Sequence, residues 1–229
     1  MQLEVFSDVA CPFCFIGKRR LTVALEGFSQ AIVDVRWRAY LLQPGLPAEG
    51  VDALPFYRAK FGGERAMQAA FERVAAMGRP QGITFDFAAM KRAPNTRLAH
   101  RALKVCERLG AGSQALEALF RAHFEEGADV GRLDHVLAAL ERHGVPLDMR
   151  QLQEDLASGA GAADVEADLA RGAALGVCAV PLFLLHTQGK PLIVEGAQPA
   201  ERLRQWLERG SASAPERPHG DCVSGAPGV

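Results

Sequence analysis

Leu3, Val5 and Phe6 form a short apolar run that ends at Ser7-Asp8, and beyond it the apolar spacing lengthens. Residues 15 to 28, with Ile16, Val23 and Phe28 among the apolar positions, read as a helix. Pro12 suits a first helical turn, where its missing N–H would have no intrahelical partner. Val33 to Tyr40 then alternates at period two, as a half-buried strand does. A parallel return between two strands needs a crossover helix, and the spacing supplies one.

Gln43-Pro44-Gly45-Leu46-Pro47 breaks this pattern. From there to about residue 160 the chain is almost wholly helical in character. One segment covers about 63 to 77. Another opens at Asn95, read as an N-cap, and closes at Gly110, with Leu98, Ala102, Val105 and Leu109 as its apolar stripe. Ser113 is read as the cap of a third, with Leu116, Leu119 and Phe120 inward. Leu133 to Arg142 and about 148 to 157 follow. Sheet signals then resume. Ala162 to Leu175 is helical, Pro181 to Leu185 and Leu192 to Glu195 are strands, and about 199 to 209 is a last helix. The pattern predicts an α/β fold split by an all-helical insertion. Residues 1–45 form the first half (βαβ), 46–160 the insertion and 161–209 the second half (αββα). The Gly, Ser, Ala and Pro of 210–229 read as a flexible tail.

Composition narrows the function classes. The chain has 229 residues, of which 48% are hydrophobic, enough for a sizeable core. A net charge of -1 with dispersed basic residues offers no nucleic-acid surface. No apolar run reaches membrane-spanning length. The N-terminus has neither the basic nor the long apolar region of a secretory leader, so a cytoplasmic location is expected. The five cysteines, Cys11, Cys14, Cys106, Cys178 and Cys222, are odd in number and thinly spread. A secreted disulfide framework is not the expectation.

The chemistry gathers at Cys11-Pro12-Phe13-Cys14, after a strand and at the start of a helix. Unpaired N–H groups and the positive end of the helix dipole favour the thiolate of Cys11, the attacking form. Cys14 lies one turn on, on the same face, within reach of disulfide formation. Cys11 would attack a substrate disulfide and Cys14 would resolve the mixed disulfide. A structural zinc site wants four ligands, and no second pair or spaced histidines are present, so no metal is expected. A c-type haem needs His after the second Cys, where Phe15 stands. Val180-Pro181, at the start of a strand, reads by itself as a strand boundary.

Several stretches together resemble the DsbA family of the thioredoxin superfamily, most closely its FrnE-like cytoplasmic branch. They are Phe6-Ser7-Asp8 through Gly17, Asn95-Thr96 with Ala99-His100-Arg101, Phe120 through Gly127, Gly176 through Phe183, and Gly196-Ala197-Gln198. The resemblance implies a thioredoxin-like fold interrupted by a helical domain. It also implies Cys11 as nucleophile, Cys14 as resolving thiol and Pro181 as a cis-proline, with the Val180 backbone pairing with an extended substrate. Pro12, Phe13, Asp8 and Asn95 are further site candidates. Phe13 and Phe15 stand where the branch often has Trp and Tyr, and Cys222 stands alone where relatives often carry a second pair. The pair lacks the Pro-His dipeptide of strongly oxidising relatives, so a less oxidising potential is expected.

Among the remaining residues, Asp8 reads either as a proton acceptor or as a strand-end turn residue. Cys106 reads as a buried, inert thiol, and His100 as a helical histidine without a catalytic role. The first reading of function is disulfide exchange with protein thiols or disulfides, supported by glutathione or a thioredoxin-type reductant and needing no bound cofactor. The alternatives are a glutathione-dependent small-molecule isomerase or transferase related to 2-hydroxychromene-2-carboxylate isomerase, where Ser typically replaces the nucleophile, and a holdase chaperone.

Overall fold

The computed structural model describes residues 1–28 and 33–212. Cys222 and most of the predicted tail lie outside the described residues. The chain begins with β1 (Gln2–Ser7), α1 (Pro12–Leu25) and β2 (Asp34–Ala39). The middle holds β3 (Val51–Asp52), α2 (Ala53–Phe61), α3 (Glu64–Gly78), a 3-10 turn at Arg79–Gln81, β4 (Arg92–Ala93), α4 (Arg97–Arg108), α5 (Gly112–Phe124), α6 (Leu133–Arg142) and α7 (Met149–Ala157). It closes with α8 (Ala162–Ala174), β5 (Leu182–His186), β6 (Leu192–Glu195) and α9 (Ala200–Ala212).

The main sheet has four strands in the order β2-β1-β5-β6. β1 pairs parallel with β2 and antiparallel with β5, and β6 pairs antiparallel with β5. Alternation along β1 sends Leu3 and Val5 into the main core with Ile16 and Leu21 of α1, Phe183 and Leu185 of β5, and Leu203, Trp206 and Leu207 of α9. Phe6 points to the other face and packs with Leu182 and Leu184. There α8 comes close: a Cβ on Gly172 would stand 3.3 Å from the Phe6 ring. Burying each such large apolar side chain stabilises by about 1.5–3 kcal/mol.

β2 is an edge strand, and its outward groups at Trp37 and Ala39 meet side chains. The Trp37 N–H donates to Glu107 at 2.8 Å and the Ala39 N–H donates to Asp168 at 2.9 Å. Lys104 donates to the Trp37 carbonyl. These partners come from α4 and α8, so the helices close an edge that could otherwise accept another strand.

Glu4 sits in the middle of β1, 2% exposed, and is answered by Arg38, Arg171 and His186 at 2.5, 2.6 and 3.2 Å. Burial works to raise its carboxyl. The hydrogen bonds from Arg171 and Arg38, with His186 close by, outweigh this and hold it at about 2, against an ordinary 4.5. A depressed carboxyl contributes stability above its unfolded value and loses it as pH falls through its folded value. Glu4→Gln is therefore expected to cost about 3 kcal/mol at neutral pH, because it strands two partly buried guanidinium groups. Urea unfolding should show the gap to the unsubstituted protein closing as pH falls from 4.5 towards 2.

The structure departs from the sequence expectation at several points. The two-stranded β3–β4 ladder lies in a stretch expected to be almost wholly helical, and α2 precedes the first helical segment expected there. α1 ends at Leu25, and Val23 is 42% exposed. Leu109 follows the last turn of α4 and is 58% exposed, so it leaves the expected stripe. Ser113 lies inside α5, whose N-cap is Ala111. α9 takes in Gly210, which had been placed in the tail. A Cβ there would meet Leu185 at 2.1 Å, so the bare Cα lets α9 rest on β5.

Candidate active site

The end of β1 and the start of α1 carry the thiols. Cys11 is the N-cap of α1 in extended conformation, and Pro12 takes the first helical position. The Cys14 N–H donates to the Cys11 carbonyl at 3.0 Å, which places Cys14 in the first turn. Both thiols are free and buried, Cys11 at 3% and Cys14 at 1%. Burial pushes the Cys14 thiol well up, and the neighbouring Cys11 thiol adds to this. Burial thus favours the protonated form of Cys14. Pro12 is half-buried, and Phe13 is exposed at the mouth.

The loop before β5 covers the pair. The Val180–Pro181 peptide is cis. The Cys11 thiol donates to the Val180 carbonyl at 3.7 Å. Gly17, one turn beyond Cys14, makes room for this loop, since a Cβ there would stand 2.9 Å from the Pro181 ring. A helix-interior glycine costs roughly 0.5–1 kcal/mol against alanine, and the close proline explains why it stands there.

Asp8 lies behind the thiols and is 1% exposed. Its carboxylate accepts from the N–H of Leu42 at 2.7 Å and of Ala10 at 3.2 Å, and its carbonyl accepts from the Cys11 N–H at 3.0 Å. Thr96 also reaches it, and His100 Nε2 stands 3.4 Å away. Burial works to raise the Asp8 carboxyl, but His100, the Leu42 amide and Thr96 prevail and hold it below its ordinary 3.8. Asp8 thus stays ionised and fully engaged. Asn95 does not join this group. Its amide donates to the Leu46 carbonyl at 2.8 Å and accepts from the Arg97 N–H at 3.1 Å, and Thr96 is the N-cap of α4. It lines a separate cleft of about 410 Å³ with Arg97, Arg101 and Glu166.

The helical part holds α1 from the side. Phe15 is fully buried and stacks on Phe120 of α5 at 5.1 Å, with Phe124 at 6.4 Å and Phe85 edge-on at 6.1 Å. Glu117 of α5 binds Lys18 at 2.7 Å and Arg19 at 2.6 Å. Such aromatic pairs add about 0.5–1.5 kcal/mol beyond area burial.

Two residues near the thiols were not among the site candidates drawn from the sequence. Tyr57 of α2 lies within electrostatic reach of Asp8 and Cys11; burial first, then these two groups, push its phenol up to about 12. It is fixed by edge contacts with Phe56 and Phe71 at 5.1 and 5.6 Å. The Phe56-Tyr57 pair in a helical stretch was its only mark. His100, read as a helical histidine without a catalytic role, has both ring nitrogens buried without a hydrogen bond and faces the Asp8 carboxylate. Cys106 is fully buried, and burial raises its thiol to about 12. Cys178 is exposed. Among the described residues no three His, Cys, Asp or Glu side chains gather as a metal site, and no helix is long and apolar enough to cross a membrane.

Residues 2–208 match the model of the DSBA-like thioredoxin domain family. The structure is similar to that of a probable DsbA oxidoreductase from Streptomyces coelicolor, with TM-score 0.81 and 28% identity over 95% of this chain and 92% of that one. It is also similar to the cytosolic disulfide reductase DsbM of Pseudomonas aeruginosa, with TM-score 0.70 and 17% identity over 93% of this chain and all of that one. A 2-hydroxychromene-2-carboxylate isomerase shares the fold at TM-score 0.64 and 16% identity, over 91% of this chain and 95% of that one.

Proposed function

Because the chain belongs to the DSBA-like thioredoxin domain family, we propose that it exchanges disulfides with protein substrates through Cys11 and Cys14. The observation that carries this reading is the stacking of two free thiols in the first turn of α1 beneath the Val180–Pro181 loop. The Cys11 thiolate attacks a substrate disulfide, releases one substrate thiol and becomes joined to the other substrate sulfur. Cys14 then attacks the Cys11 sulfur, releases the second substrate thiol and leaves a Cys11–Cys14 disulfide. Run backwards, the same steps oxidise a substrate dithiol.

The roles of the neighbours follow from their contacts. Val180 presents its carbonyl where an extended substrate segment could pair by strand addition, once the Cys11 thiol has let it go. Phe13 offers an exposed apolar contact at the mouth, and Pro12 presets the helix start. Asp8 fixes the loop that carries Cys11 rather than serving as a free proton acceptor.

Glutathione or a thioredoxin-type reductant would reset the pair in a cytoplasmic setting. The cytosolic neighbour DsbM supports this, having also been seen with glutathione. The test is turnover of a protein disulfide, such as insulin, with glutathione as the reductant. The reading expects a rate well above that of glutathione alone. No protein turnover, together with glutathione-dependent isomerisation or conjugation of a small molecule, would replace it with the isomerase reading. Suppression of aggregation that survives loss of both thiols would support the holdase instead.

A further inference from the structure

The Ser7 hydroxyl occupies a place that packing alone does not explain. Ser7 ends β1 opposite Ala39 and is 3% exposed. Strand alternation puts its side chain on the same face as Leu3 and Val5, the face packed against α1 and Cys14. Its Oγ is buried and has no hydrogen-bond partner. A buried hydroxyl without a partner is costly and uncommon, and a valine or alanine would fill this apolar site at no such cost. The nearby polar groups that favour a charged Cys14 sulfur are this hydroxyl and the Asp8 backbone N–H.

Cys14 needs such donors. Its thiol is 1% exposed and surrounded by apolar groups, where a thiolate is poorly solvated. The Asp8 carboxylate is taken up by the amides of Leu42 and Ala10. We propose that Ser7 is a catalytic residue of the resolving step, donating its hydroxyl to the Cys14 sulfur as negative charge develops there. This rests on the dithiol cycle proposed above.

The step balances without a further reagent. A substrate sulfur is joined to Cys11 in the mixed disulfide. Cys14 attacks Cys11, a new Cys11–Cys14 bond forms, and the Cys11–substrate bond breaks with its electron pair going to the substrate sulfur. The Cys14 proton ends on that leaving thiolate. Cys14 is oxidised and the substrate sulfur is reduced. Ser7 keeps its own proton throughout and lowers the energy of the charged sulfur.

The test uses the full chain in reduced form, mixed rapidly with the aromatic disulfide 5,5′-dithiobis(2-nitrobenzoate). The first phase of coloured thiolate release reports attack by Cys11, and the second reports resolution by Cys14. In Ser7→Ala the second phase is expected to slow by roughly tenfold to a hundredfold relative to the first, the range for a hydrogen bond to a charged group. Its pH midpoint should move upward. A second pair isolates the hydroxyl at nearly constant shape: Ser7→Thr should keep the fast phase and Ser7→Val should lose it. A second phase with the same rate and pH midpoint in the Ser, Ala and Val proteins overturns the role of Ser7 while leaving the dithiol cycle standing. A single phase in the unsubstituted protein overturns both.

Discussion

The Cys14→Ala protein is expected to stop at the mixed disulfide, with turnover down by at least about a hundredfold. Cys11 keeps its place as N-cap in that variant, since its extended backbone and Pro12 do not depend on Cys14. It can still attack, but the thiol one helical turn away that would resolve the adduct is gone. Cys106 is buried, with its thiol raised to about 12, and cannot stand in. Cys178 is exposed and is the natural control for non-specific adducts. Peptide mass mapping after acid quenching should find the substrate on Cys11. Cys11→Ala should give no such adduct. Retained turnover in Cys14→Ala would show that a single thiol suffices, which is how a glutathione-dependent enzyme would behave.

The second large effect is on stability. Asp8→Ala is expected to lose about 3 kcal/mol or more at neutral pH. The side chain accepts from two backbone amides and meets Thr96 and His100 in a dry site. Each buried donor left without an acceptor costs about 1–3 kcal/mol. The carboxylate ties together the loop before Cys11, the segment after β2 and the start of α4, so its loss acts on three parts of the chain. Asp8→Asn keeps an acceptor oxygen and should lose less. The sign with pH follows from its lowered carboxyl: the contribution is present above 3.8 and fades as pH falls below it. Urea unfolding at neutral pH reads the difference. A change within about 0.5 kcal/mol, the range of an ordinary surface substitution, would contradict this placement of Asp8.

Much of the fold was legible because its signals are local. The period-two run from Val33 to Tyr40 holds β2, and the residues between Gly176 and Gly196 hold β5 and β6. The CxxC marked the start of α1 because a proline follows the first cysteine. The features that escaped are of two physical kinds. Strands as short as Val51–Asp52 and Arg92–Ala93 carry no periodicity, and their pairing is set by segments forty residues apart. Val23 and Leu109 are apolar residues whose exposure depends on where a helix ends, which spacing alone does not reveal.

The site divides in the same way. Cys11, Cys14 and Pro181 stood out by motif or resemblance. Ser7 was visible only as part of a resembling stretch, since a serine at a strand end ordinarily means a turn. Tyr57 and His100 come from the helical part and approach the thiols only through tertiary packing. Asn95 shows the converse: its place in the resemblance made it a site candidate, while its hydrogen bonds hold the start of α4.

The central claim is that Cys11 and Cys14 form a working redox pair, and a redox titration against glutathione tests it most directly. Alkylation followed by mass spectrometry would follow the two thiols across the poise. The account predicts a reversible two-electron transition between about -120 and -270 mV that links Cys11 to Cys14. Absence of a Cys11–Cys14 disulfide at every poise would contradict it.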